Sequence, residues 1–191
     1  MNNLQLFHKT KRLVIPIDYI TYYTCDYQSK QICNILSNYS NDNMIITDCN
    51  AGIGGNSYYF CKQYQFVNVI DKNNECMKFL DKNLIYFDNK FIINDDCLDI
   101  LKIIQSDIIF FDPPWGDNYK YNTNIDLFLN NIPINHIIDN CYNICQLIAL
   151  KAPNNYLIKH SNFWKIKEYN IYKNYNSEIT FKLIIFYKTD I

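Results

Sequence analysis

Apolar residues fall along this chain in short blocks that close on a polar residue, and the blocks alternate with stretches of helical spacing. From Cys25 to Leu36 the apolar positions recur every three or four residues and predict a helix. Met44 to Thr47 is a short apolar run stopping at Asp48 and a glycine-rich turn, which predicts the first core strand. Asn56 is placed to cap a helix through Tyr64. Phe66 to Ile70 predicts a second strand ending at Asp71, Glu75 to Phe87 a helix, Lys90 to Ile93 a strand, and Leu98 to Ile104 a short helix. Asp107 to Phe111 predicts a strand closing on Asp112. Beyond it the pattern predicts one long amphipathic helix, Ile134 to Leu150, then a strand from Tyr156 to Lys159. Ile166 to Tyr172 and Phe181 to Tyr187 predict a closing hairpin.

Strands alternating with helices predict an α/β fold with a doubly wound, mainly parallel sheet, here closed by an antiparallel pair. In such sheets ligands bind beyond the carboxyl ends of the strands. Asp48, Asp71, Asp96 and Asp112 all follow apolar strands or lie just past them, so four acids gather at that edge.

Composition narrows the class. A length of 191 residues with 49% hydrophobic content suits one domain, without internal repeat or linker. No apolar run approaches the roughly 18 residues of a membrane span, and the N-terminus lacks a secretory pattern. The eight cysteines are scattered without a C-x-x-C pair, which points to reduced, mostly buried thiols in an intracellular protein rather than to disulfides or a metal site. A net charge of -1 does not suit a protein that coats nucleic acid. Two small basic stretches, Lys9, Lys11 and Arg12, and then Lys159, His160, Lys165 and Lys167, suit a short anionic group or are ordinary solvated faces.

Isoleucine, asparagine, tyrosine and lysine dominate in the manner of AT-rich coding DNA, and only 4 glycines occur. Three of them lie in Asp48-Cys49-Asn50-Ala51-Gly52-Ile53-Gly54-Gly55-Asn56 and the fourth, Gly116, in Phe110-Phe111-Asp112-Pro113-Pro114-Trp115-Gly116. Glycines permit positive φ and close approach of a ligand to the backbone. Asp71, about 20 residues on, is placed to hold the two hydroxyls of a ribose. Asp96, with Cys97 opening the next helix, is placed either to accept from an adenine amino group or simply to cap that helix. The pair of glycine turn and strand-end acid is common to dinucleotide and S-adenosylmethionine sites, but the spacing is not G-x-G-x-x-G.

The Asp-Pro-Pro-Trp-Gly run points to the second of these. Prolines fix the backbone and leave carbonyls without neighbouring donors, so Asp112 and the Pro113 carbonyl can both face a substrate amine. An exocyclic amine on a base is a weak nucleophile; accepting both of its N–H groups aims the nitrogen lone pair at an incoming methyl group. Trp115, with Tyr119 and Tyr121 nearby, offers a face on which a base can stack, and a cationic base would gain further. Trp115 as a mere core anchor is the plainer alternative.

The order Asp48–Asn56, Val69-Ile70-Asp71-Lys72-Asn73, Asp95-Asp96-Cys97-Leu98-Asp99 and Ile109–Gly116 resembles the trimethylguanosine synthase family, which methylates N2 of the 7-methylguanosine cap of RNA. The resemblance runs from about Tyr22 to the C-terminus and implies a Rossmann-like class I methyltransferase fold with a seven-stranded sheet. It implies a methyltransferase domain over 22–191 behind a short N-terminal extension, 1–21, that helps contact the cap. By it, Asp48, Gly52, Gly54, Asn56, Asp71, Asp96 and Cys97 would hold S-adenosylmethionine, Asp112 and Pro113 would orient the N2 amine, and Trp115 would stack the methylated guanine. Lys9, Lys11, Arg12, Lys159 and Asn162 would lie near the cap phosphates, although the family's Pro-Arg-Asn is absent and Asp117 replaces a second glycine after the tryptophan. The implied setting is a monomer acting on m7G-capped RNA without metal or membrane, in the nucleus of a cell or in the cytoplasm of a virus-infected host. An N6-adenine or N2-guanine methyltransferase of tRNA, rRNA or DNA, and an inactive cap-binding module, remain the alternatives.

Overall fold

The computed structural model describes residues 13–20, 22–117, 119–174 and 178–188. A single 3-10 turn, Ile17–Tyr19, precedes helix α1 (Asp26–Leu36). There follow β1 (Ile45–Asp48), α2 (Gly55–Gln63), β2 (Phe66–Ile70), α3 (Asn74–Asn83), β3 (Lys90–Ile93), α4 (Cys97–Ile100) and β4 (Ile108–Phe111). A small hairpin, β5 (Phe128–Leu129) and β6 (Ile132–Pro133), leads to α5 (Ile134–Asn140), β7 (Leu147–Ala152), β8 (Lys165–Tyr172) and β9 (Ile179–Tyr187).

Seven strands form one sheet in the order β3-β2-β1-β4-β7-β9-β8. The first five pair in parallel, and β9 runs antiparallel to both β7 and β8. This is the expected mainly parallel sheet with a terminal antiparallel hairpin. The strand order reverses between β1 and β4, which opens a crevice at their carboxyl ends. Asp48 and Asp112 sit at the two sides of that crevice.

Both faces of the sheet are covered, so its central strands are buried and largely apolar, with Thr47, Asp48 and Lys151 as buried polar exceptions. Phe110 packs into one core cluster and Phe111 into the other. Leu13 and Ile15 join the first cluster, so the residues preceding α1 are bound into the same body. Seven of the eight cysteines are buried.

Three expectations need correction. The helix from 134 ends at Asn140, and 147–152 form β7. The chain turns at Cys141, whose amide donates to the carbonyls of Ile137 and Ile138, and the amides of Gln146 and Leu147 then both donate to the Asp107 carbonyl. All six residues of β7 are buried because the strand is sandwiched between β4 and β9. The predicted strand over 156–159 is irregular, held by one bridge between Tyr156 and Ile125. Finally, Gly54 rather than Asn56 is the N-cap of α2, with φ of 90°. A Cβ at Gly54 would come within 3.1 Å of Leu80 Cδ2, so the glycine also lets α2 close on α3.

Candidate active site

A cavity of about 50 Å³ lies at the reversal point, lined by Asn50, Ala51, Gly52, Ile53, Gly55 and Asn56 on one side and Asp112 on another. Its roof is Tyr19, Tyr22, Tyr23 and Thr24, from the segment that precedes α1. Asn56 holds that roof down: its amide donates to Thr24 Oγ1 at 3.1 Å, and its carbonyl accepts from Ser29 Oγ at 3.1 Å. Asn83 clamps the segment further out, donating to the carbonyls of Val14 and Ile53.

Three acids cluster at this end of the sheet; Asp112 lines the cavity, while Asp71 and Asp48 lie outside its lining. Asp71 accepts from the Gly52 amide at 2.7 Å and from the Asn73 amide at 2.9 Å, so it fixes the glycine turn. Burial raises its carboxyl above the ordinary carboxylate range. Asp48 is fully buried, with Oδ2 accepting from Ser57 Oγ at 2.6 Å. Desolvation pushes its carboxyl up to about 7, the Ser57 hydroxyl and Lys151 oppose the rise, and the charges of Asp112 and Asp71 add to it. Asp112 pairs with Lys151 Nζ at 2.7 Å; desolvation still raises its carboxyl, against the pull of that ammonium.

The residues fit a methyl donor of the S-adenosylmethionine kind. Among the described residues no donor reaches the buried Asn50 Oδ1 or Asp48 Oδ1. At Gly52, φ is 55° and nothing lies within 4 Å of where a Cβ would stand, so the turn leaves room for a ligand against the backbone. Ligand hydroxyls and an ammonium group would meet Asp71, Asp48 and Asn50 there. Asp96 stands apart from the cavity lining. It caps α4 through the Leu98 amide at 3.0 Å, while Oδ2 accepts from Asn130 at 2.7 Å and from Lys72 at 3.4 Å. Cys97 is buried in the core behind it.

Trp115 lies between the two core clusters. Its ring meets Tyr119 edge to face at 5.1 Å and Phe181 at 6.3 Å, with Lys151 Nζ 5.5 Å from its centroid. The indole N–H is buried without an acceptor among the described residues. Lys159 forms an exposed pair with Asp126 at 2.8 Å, and Asn162 is also exposed. Asn155 donates to the carbonyls of Tyr119 and Asn122, so the stretch carrying Lys159 runs beside the loop after Trp115. Lys9, Lys11 and Arg12 lie outside the described residues.

Lys151 is the functional side chain that sequence reasoning missed. The signal was present in the unbroken apolar run Leu147–Leu150, which suits a fully buried strand. Read as a strand, its last lysine would have come level with the end of β4.

Comparison with known proteins bears on the family and the fold. A family model described as RNA cap guanine-N2 methyltransferase matches residues 43–184. Uncharacterized protein L320 of Acanthamoeba polyphaga mimivirus is 33% identical over 138 residues, or 68% of this chain and 54% of that protein. The chain therefore spans about half the length of that relative. Among solved structures, a conserved hypothetical protein from Streptococcus pyogenes superposes with a TM-score of 0.62 at 17% identity, covering 84% of this chain and 95% of that one. An rRNA methylase from Streptococcus thermophilus gives 0.58 at 11% identity, over 86% and 98% of the two chains. Trm5b from Pyrococcus abyssi gives 0.57 at 12%, over 95% of this chain and 54% of that one. At such identities the likeness is one of fold, the Rossmann-like methyltransferase fold.

Proposed function

The chain belongs to the RNA cap guanine-N2 methyltransferase family, and on that premise we propose that it methylates the exocyclic N2 of a 7-methylguanosine cap, in the manner of trimethylguanosine synthases. The single observation that carries this reading is that Asp112, at the head of Asp-Pro-Pro-Trp, lines the same cavity as the glycine turn. Bound in that cavity, S-adenosylmethionine supplies an electrophilic methyl group. Asp48, Asn50, Gly52 and Asp71 would hold it, with Asp96 at the rim. Asp112 and the Pro113 carbonyl accept the two N–H groups of the amine, which directs its lone pair into the cavity. As the N–C bond forms, the donor's sulfonium C–S bond would break to leave the thioether S-adenosylhomocysteine, and the nitrogen would shed one proton, for which Asp112 is the facing acceptor. Trp115 supports the base, and the stretch from Lys159 to Asn162 lies on the side where cap phosphates would run.

One observation favours a neutral base in an rRNA, tRNA or DNA substrate as the second reading. Lys151 already stands 5.5 Å from the Trp115 ring, and a second cation against that ring would be repelled. Mass analysis of products from m7GTP, GTP, m7GpppA and uncapped RNA decides. Methylation of m7GTP well above GTP supports the cap reading, and equal rates overturn it.

A further inference from the structure

We propose that Lys151 is a positioning residue for the reaction: its ammonium keeps Asp112 a carboxylate with Oδ1 free for the substrate amine, and ties that carboxylate to the roof through Thr24. The proposal rests on the methyl-transfer reading above, since it assigns Lys151 a task at the same site.

The placement follows from the sheet. In the parallel pairing of β4 with β7, Phe111 stands opposite Leu150, so the next residues, Asp112 and Lys151, come side by side. Lys151 Nζ donates to Asp112 Oδ2 at 2.7 Å and to Thr24 Oγ1 at 2.9 Å, and it faces the Phe181 ring at 4.9 Å. Among the described residues it is the only buried lysine. Burying an ammonium costs free energy, and a buried ion pair is often replaced by apolar residues without loss of stability. Packing alone therefore does not call for a charge here.

The electrostatics of the cavity do call for one. Asp71 after β2 and Asp112 after β4 both act on Asp48 at the end of β1, and desolvation opposes ionisation of each of the three. Among the described residues, Lys151 from β7 is the cation that faces Asp112, and the titratable groups that line the cavity from the roof are the phenols of Tyr19, Tyr22 and Tyr23. A protonated Asp112 would present a donor where the amine also presents donors. With Lys151 on Oδ2, Asp112 stays an acceptor, and Oδ1 is the oxygen that no described donor takes. Thr24 brings the second consequence. Its hydroxyl receives both Lys151 and Asn56, so the roof is seated on the same ammonium that orients the acid.

The test titrates Asp112 in the ligand-free protein by 13C NMR of labelled aspartate carboxyls, with Asp112→Asn assigning the signal. In Lys151→Met the midpoint should rise by about one pH unit or more, the usual effect of losing an adjacent opposite charge, and Lys151→Arg should restore it. The acidic limb of kcat should move upward with it, because the ionised acid is the active form. Lys151→Gln, neutral but still hydrogen-bonding, replaces Lys151→Met if the latter does not fold. An unchanged Asp112 midpoint overturns the proposal, and so does an equal loss of activity at every pH. A shifted midpoint in a protein that leaves m7GTP unmethylated upholds the role of Lys151 and removes only the cap reading.

Discussion

Gly55 and the Thr24 carbonyl stand so close that a Cβ added at residue 55 would lie 2.7 Å from the carbonyl oxygen. The neighbour is backbone, so it cannot rotate away, and the roof of the cavity is seated directly on the first residue of α2. Gly55→Ala should therefore lift the roof. Overpacking of this kind costs about 1–3 kcal/mol, to be read from thermal unfolding, and the dissociation constant for S-adenosylhomocysteine should rise several-fold. Gly116→Ala is the contrast. No atom lies within 4 Å of its Cβ position, but φ is 81°, so strain of about 1–2 kcal/mol falls on the Trp115 loop. That variant should raise KM for the methyl acceptor and leave donor binding intact. Unchanged donor affinity in Gly55→Ala would show that the roof does not bear on the donor.

Asp48 makes stability depend on pH with an unusual sign for an acid. Its carboxyl is raised from 3.8 in the unfolded chain to about 7 in the fold, so the folded state binds the proton more tightly. The contribution is complete below about 4, is lost as pH climbs toward 7, and is absent above it. The span from 3.8 to about 7 corresponds to about 4 kcal/mol at most. Asp48→Asn, which keeps an acceptor for Ser57, should abolish that slope. In urea titrations it should be more stable than the parent at pH 8 and no more stable at pH 4. A parallel pH dependence in both proteins would show that Asp48 is ionised in the fold.

Strands β1 to β4 are legible in the sequence because each is an apolar run closed by an acid or followed within a few residues by one. Phe66–Ile70 and Lys90–Ile93 are found as predicted, and Asp48, Asp71 and Asp112 lie where those closures imply. Strand β7 was not legible, since the apolar positions of Ile134–Cys145 keep a helical spacing and Leu147–Leu150 continues it without a glycine or proline to break the pattern. Only the need of β4 and β9 for a partner between them makes that run a strand. Lys151 was hidden for the same reason: a lone lysine after an apolar run reads as a solvated end, and its burial is a property of strand order. The β5–β6 hairpin was missed because its turn, Asn130-Asn131, has no glycine. Both asparagines adopt positive φ, 49° and 63°, as a tight hairpin turn requires.

Trp115 is both a core contact and the proposed base platform, so a single alanine confounds the two. Trp115→Phe retains packing against Phe181 and should keep most of the stability, while the narrower ring weakens stacking. Base stacking is worth about 1–3 kcal/mol, which places the rise in KM for m7GTP in Trp115→Ala at about ten-fold or more, with kcat less affected. Asp112→Asn should do the reverse and lower kcat. It is preferable to alanine, which would leave Lys151 facing a void. A Trp115→Ala variant with unchanged KM would assign the ring to the core alone.

Asn130 ties three loops together at the rim, and its removal should act on the donor and not on the acceptor. Its amide donates to Asp96 Oδ2 at 2.7 Å and its carbonyl accepts from Lys72 Nζ at 2.8 Å, so the hairpin tip spans the ends of β2 and β3. Burial would raise the Asp96 carboxyl, but the bonds from Asn130, the Leu98 amide and Lys72 outweigh it and hold the group below its ordinary range. An acid so held is a fixed acceptor, which would suit the adenine amino group of the proposed donor. Asn130→Ala removes both hydrogen bonds at an exposed site; the one to Asp96 is worth about 0.5–1.5 kcal/mol, and its loss frees Asp96 to turn. Calorimetric titration should show S-adenosylhomocysteine binding weakened about two- to ten-fold, the range that energy implies. Sinefungin, which carries the same adenosine, should lose affinity by the same factor, and affinity for m7GTP should hold. Loss of m7GTP binding instead would place the hairpin over the acceptor.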